Sequence, residues 1–361
     1  QYTCASLTTC SSQGDDVAGR IAKSLKEATK SRHFLPLAIL VACNLIFFGH
    51  LLFTRTIFHG SGTDLVSFQY QVLEYARGEL LAGRFPLYTP YVFGGHPFHA
   101  MGQAGLTYPC NWFFHLPGTF VGIKLSVAFH AFLGSLLAYL LGSVVLSRAG
   151  HRPRVAAAGA LVTGLLYGYG GFYLLHAYAG HLNLLASAAW MPGVWLGFYG
   201  LGGGCGGRRL KWIVTTGICL AMMVLAGSPQ AGYIAVLPGV LWFAAPVVGS
   251  LRGEATWRWR GAAVSCLGLL GACLLAAGLS AVQWVPMLEL AAWSARGQAE
   301  GSKLALSYSM PLSGIWNLFF PRFWGAADGG WWAKLSRWEF NAYLGAAPIL
   351  LALLAVVLER R

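Results

Sequence analysis

Residues 34–54 read FLPLAILVACNLIFFGHLLFT, with no Asp, Glu, Lys or Arg among them. At about 1.5 Å rise per residue, a helix of this length matches the roughly 30 Å hydrocarbon core of a bilayer. Comparable apolar windows follow at 119–147, 155–175, 182–200, 210–227, 229–249, 261–285 and 342–358. Short strands with period-2 alternation, the mark of a membrane β-barrel, do not occur. The expected fold is all-α: a polytopic transmembrane helical bundle of about eight spans.

Composition agrees. Hydrophobic residues make up 56% of the chain and charged residues 10%, against roughly 25% charged in a soluble domain. The formal net charge of +13 raises the question of nucleic acid, and its distribution answers it. With the N-terminus placed in the cytoplasm, the basic residues gather on one side. They are Arg20 to Arg32 in the head, Arg148, Arg152 and Arg154, then Arg208, Arg209 and Lys211, Arg252, Arg258 and Arg260, and the terminal Arg360 and Arg361. That is the positive-inside pattern, so topology accounts for the excess and no nucleic-acid partner is expected.

The bland segments are quickly placed. QYTCASLTTCSSQGDD at the start is polar and reads as disordered, and 17–33 as a basic amphipathic helix, so 1–33 forms a cytoplasmic head ahead of a membrane domain over 34–361. The head has no apolar h-region and is not read as a cleaved signal peptide. GLGGGCGGRRLK (200–211) lacks GK[ST] and a preceding strand, so it is a linker and not a phosphate loop. The eight cysteines form no CxxC pair, which argues against a zinc site or a disulfide framework.

This orientation puts two long loops, 55–118 and 286–341, outside the cytoplasm. Both are rich in aromatics and proline, the wrong composition for disorder, and are expected to be folded caps carrying interfacial helices. In the first, LVSFQYQVLEYARGELLAG (65–83) spaces Leu65, Phe68, Val72, Ala76 and Leu80 by three or four, one apolar helix face. Gln69, Glu74, Arg77 and Glu79 are assigned to other faces. Asp64 stands at the start of that helix, with no other acid between Glu27 and Glu74. Two roles suit it: an N-cap or a general base.

Residues 84–118, RFPLYTPYVFGGHPFHAMGQAGLTYPCNWFFHLPG, are rigid and irregular because proline fixes φ and glycine permits positive φ. They present Arg84, His96, His99, Gln103 and Asn111 among aromatics, a surface on which sugar rings stack. His96 and His99 leave a divalent metal open, although two imidazoles without a carboxylate make a weak site. Polar groups also collect in HAYAGHLN (176–183), with His176, His181 and Asn183. Others are Ser228 and Gln230 in AGSPQAGY (226–233), and Glu289 in AVQWVPMLELAAWSARG (281–297). Helix capping and substrate binding are both open to them.

The order of these segments carries a resemblance. GTDLVSFQY, GRFPLYTPYVFGGHPF, GLTYPCNWFFHLPG, HLNLLASAAWMPGVWL, AGSPQAGY, AVQWVPMLEL, NLFFPRFWG and WEFNAYLGAAPILLALLA, together spanning about 40–358, resemble the YfhO-like bacterial membrane protein family. That family is similar to GT-C glycosyltransferases, which pass a sugar from a polyprenyl-phosphate carrier to an acceptor outside the cytoplasm. The resemblance implies a bacterial inner-membrane enzyme with Asp64 as catalytic base. It further implies substrate contacts from Arg84, His96, Gln103, His181, Asn183, Gln230, Glu289 and Arg322, a polyprenyl-phosphate-linked sugar and membrane lipids as partners, and no resident cofactor. Members of the family are longer, so the chain is expected to be the N-terminal part of a larger protein. The acid stands alone as TDL where a DxD would hold a metal. The rival class is a non-enzymatic transporter or envelope assembly protein. Ion-coupled transport favours charged residues at mid-membrane, and none lies in the middle of any window.

Overall fold

The computed structural model describes residues 33–57, 63–92, 94–204, 209–251, 259–294, 309, 311–320, 322–325, 343 and 345–359. The head over 1–32 and most of the second long loop lie outside the described residues. Helices occupy every one of the apolar windows: α1 (Phe34–Phe53), α5 (Thr119–Arg148), α6 (Pro153–Tyr169), α7 (Gly171–Ala179), α8 (Leu182–Tyr199), α9 (Arg209–Leu225), α10 (Pro229–Leu251), α11 (Trp259–Trp293) and α12 (Ala346–Glu359). Between α1 and α5 come α2 (Tyr70–Leu81), α3 (Phe98–Met101) and α4 (Pro109–His115). Among the described residues the only β pairing is an isolated bridge, Thr89 to His96.

Among the described residues five stretches are long and apolar enough to cross a membrane: Phe34–Phe53, Thr119–Arg148, Pro153–Ala179, Leu182–Gly202 and Val264–Trp293. The protein is an all-helical, multi-pass membrane protein. Its side chains are sorted accordingly. Large apolar residues such as Leu35, Ile46, Leu267 and Leu274 are exposed around the rim, where lipid replaces water as the solvent. Small residues fill the seams. On α6, Ala156, Ala160, Gly164 and Gly168 recur every fourth position and are all buried. A Cβ on Gly164 would lie 2.7 Å from the Ser135 carbonyl oxygen, and one on Gly168 2.6 Å from that of Ala131. Backbones approach this closely only across small residues, the usual basis of helix association in lipid.

Two helix ends differ from the sequence expectation. The 155–175 window is not continuous: α6 stops at Tyr169 and Gly170 is extended (φ −67°, ψ 162°) before α7 begins. The first N–H of α7, an orphan by position, is Gly171 N, which donates to the Tyr343 carbonyl at 3.2 Å. The 261–285 window was expected to end ahead of Pro286, yet α11 runs through it to Trp293. Proline at 286 cannot donate to the carbonyl four residues back. That carbonyl belongs to Val282 and is bonded instead by His99 Nε2 at 2.8 Å. The replacement partner lets the helix continue, so the first residues of the expected 286–341 loop are helical.

In the first loop, helix begins at Asp64 as anticipated, through a π-helical turn, Leu65–Gln69, that leads into α2. Leu65, Val72 and Ala76 are buried, with Phe68 and Leu80 packed beside them. Gln69 is also buried, contrary to its assignment to another face. It stands four residues after Leu65 and three before Val72, on the same stripe.

Candidate functional site

Asp64 is held in place by its neighbour. Leu65 is fully buried among Phe48, Leu51, Val127, Tyr173 and Leu185, which leaves Asp64 at the surface with its side chain 61% exposed. The capping role fails. Asp64 is already in the helical region (φ −71°, ψ −13°), and its carboxylate makes no cap hydrogen bond. A capping side chain needs an extended backbone to fold back onto the helix N–H groups. The carboxylate instead lies 3.5 Å from His181 Nε2.

His181 reaches that position because of Gly180. This residue ends α7 with φ +89° and donates to the His176 and Ala177 carbonyls. A Cβ there would collide with the Leu65 backbone, so only glycine permits both the left-handed turn and the close approach. His181 Nδ1 then faces His176 Nδ1 at 2.8 Å. One of those nitrogens must donate and the other accept, so the two imidazole tautomers are coupled. The result is a chain of groups, His176–His181–Asp64, with the Oδ2 oxygen of the carboxylate turned to the imidazole.

Gln103 and Asn183 also come together, in a narrow cleft shared with Gln69, Asn111, His115, Thr119 and Ser126. The amides brace the backbone around it: Gln69 Nε2 donates to the Gln103 carbonyl at 3.0 Å, and Asn183 Nδ2 to that of Gly227 at 3.1 Å. Free volume is about 30 Å³, room for one or two waters and not for a sugar ring. Burial, and then the Arg77 guanidinium, hold the His115 imidazole below the ordinary histidine range. Its Nε2 and the Thr119 hydroxyl are buried and unpartnered among the described residues, where water in the cleft can satisfy them.

Above the cleft, Tyr108 fastens the loop to the bundle. His130 Nδ1 lies 2.7 Å from the Ser126 carbonyl, which only accepts, so His130 Nε2 carries the lone pair. The fully buried Tyr108 hydroxyl therefore donates to Nε2 at 2.8 Å and accepts from Trp190 Nε1 at 2.8 Å.

The remaining expected residues are scattered. Arg84 is gripped by the Glu79 carboxylate through two bonds of 2.8 and 2.7 Å. Those bonds hold the Glu79 carboxyl below the usual carboxylate range and raise the Arg84 guanidinium, so a phosphate would have to displace Glu79. His96 is half-buried and its backbone pairs with Thr89. Gln230 is exposed in the first turn of α10, and Arg322 is exposed just beyond a 3₁₀ turn, Leu312–Leu318. Glu289 is exposed near the end of α11, in a groove opposite His99. Among the described residues no group of three His, Cys, Asp or Glu is placed to hold a metal ion.

Sequence reasoning missed Gln69, His115, Thr119 and Ser126. The i, i+4 and i, i+3 relation of Gln69 to Leu65 and Val72 was the available signal. The others are joined by tertiary packing alone.

No family model, curated protein or solved structure matches the chain.

Proposed function

We propose that the chain is a glycosyltransferase of a bacterial inner membrane, moving a sugar from a polyprenyl-phosphate donor to an extracytoplasmic acceptor. In this reading the eight helical windows are eight spans, the N-terminus is cytoplasmic, and the end of the bundle bearing residues 55–118 faces outward. The observation that carries the proposal is Asp64 itself. It is a lone carboxylate at a helix start that makes no cap bond, faces an imidazole and stays 61% exposed.

The step balances simply. The acceptor hydroxyl oxygen attacks the anomeric carbon as Asp64 takes its proton. The bond from that carbon to the phosphate oxygen breaks, and the lipid phosphate leaves with the electron pair. A single displacement inverts the anomeric centre. His181 holds the carboxylate in position, and a cation from Arg84, His96 or Arg322 offsets the charge on the leaving phosphate.

Transfer of labelled sugar from polyprenyl-phosphate donors in proteoliposomes tests this. Asp64→Asn keeps the shape but cannot take the proton, so activity is expected to fall about 100-fold or more with membrane insertion unchanged. Full activity of Asp64→Asn, or no transfer by the wild type from any polyprenyl-phosphate sugar, sinks the reading.

A further inference from the structure

The groove between the first loop and the end of α11 has a chemistry of its own. Leu87, Pro97, Leu290 and Trp293 give it apolar walls, with His99 and Glu289 as the ionisable groups among its lining. Its free volume is about 540 Å³, within the range of sites for small molecules and lipid segments. Trp293 is 84% exposed, as aromatics are at a membrane–water boundary.

The exposed polar group of the groove, Glu289, points to a missing partner. Glu289 is exposed and lies in the last turns of α11, at the negative pole of the helix, where a carboxylate is electrostatically misplaced. Among the described residues no cation pairs with it. Trp293 follows four residues later, so the two side chains share one face of the helix, an arrangement that sets a carboxylate beside an aromatic ring. His99 is nine-tenths buried and donates through Nε2 to the Val282 carbonyl. Its other nitrogen, Nδ1, is buried and has no hydrogen-bond partner among the described residues, so it is closed to a ligand in the groove. Apart from the Trp293 indole N–H, the exposed side chains offer the Glu289 carboxylate and a π face. What is lacking is a cationic donor with an apolar body.

We infer that this groove binds an aminolipid, its primary ammonium seated between the Glu289 carboxylate and the Trp293 ring and an acyl chain along Leu87, Pro97 and Leu290. The ammonium gains a charge-assisted hydrogen bond and a cation–π contact, and it neutralises the carboxylate at the helix pole. The groove shares no residue with the Asp64–His181 cluster, so the inference does not depend on the transferase reading.

Native mass spectrometry of the delipidated protein, titrated with dioleoyl lipids, tests it. Phosphatidylethanolamine is expected to occupy one site at least about tenfold more tightly than phosphatidylglycerol, with phosphatidylcholine, which has no N–H to donate, in between. Glu289→Gln should weaken phosphatidylethanolamine about tenfold and abolish the preference. Glu289→Asp should keep most of it, and Trp293→Ala should cost a smaller factor. Both positions are exposed, and thermal unfolding checks that each of the three variants folds. Equal affinity for ethanolamine and glycerol headgroups, or an unchanged preference in Glu289→Gln, overturns the inference.

Discussion

Two of the places where the segment 84–118 meets the helical bundle are built on opposite plans. At Tyr108 the contact is closed: the ring is fully buried, and every polar atom of the Trp190–Tyr108–His130–Ser126 chain has its partner. At His99 the contact is open: one nitrogen repairs a proline-broken helix, the other has no partner, and a groove lies alongside. Histidine serves both, but one is an anchor and the other lines an open groove. The difference lies in whether the surrounding donors and acceptors close on themselves, because polar groups left incomplete in a dry interior are expensive unless something arrives to complete them.

The contrast can be broken by mutation. Tyr108→Ala removes the anchor ring and leaves a cavity, so unfolding in mixed micelles should show a loss of about 3–5 kcal/mol. Tyr108→Phe keeps the ring and deletes only the hydroxyl. It leaves His130 Nε2 and Trp190 Nε1 buried and unpaired, for about 1–3 kcal/mol. His99→Leu should cost about 1 kcal/mol, chiefly the lost bond to the Val282 carbonyl. In a Pro286→Ala background, residue 286 supplies its own N–H to that carbonyl, and the His99→Leu cost should fall toward zero. A double-mutant cycle measures this coupling. If Tyr108→Phe costs no more than His99→Leu, the two contacts are not different in kind.

The smallest expected effect concerns His115. Its folded-state pKa is depressed, so at mildly acidic pH the unfolded chain binds a proton that the folded chain refuses. Stability should be at its plateau above about pH 6.5, the unfolded-state value, and decline as pH falls below it. His115→Gln should flatten that slope in unfolding measured across pH 5–8. An unchanged slope assigns it to another group.

Most of the architecture was legible because hydropathy over about 20 residues is a strong local signal, and every apolar window is a helix. The windows failed at two positions, one for a local and one for a remote reason. Gly170 interrupts 155–175, while α11 survives Pro286 because His99, far away in sequence, takes the freed carbonyl. Asp64 was legible as an isolated acid, and so was the helix it begins. Its pairing with His181 was not, because that depends on Gly180 passing against Leu65. The neutral cleft was half legible: Gln103 and Asn183 stood out as polar residues near helix ends, but nothing local marks Thr119 or Ser126 as their neighbours.

The bond from Gly171 N to the Tyr343 carbonyl also makes that amide a sentinel in hydrogen–deuterium exchange. Its neighbours in the first turn of α7 have no intrahelical acceptor, so Gly171 should exchange more slowly than Phe172 only while the stretch around Tyr343 is docked. Shortening the chain ahead of Tyr343 should then release this amide selectively, leaving the amides in the middle of α6 as slow as before. One proton would thus report, without any activity assay, whether Tyr343 stays held against the start of α7.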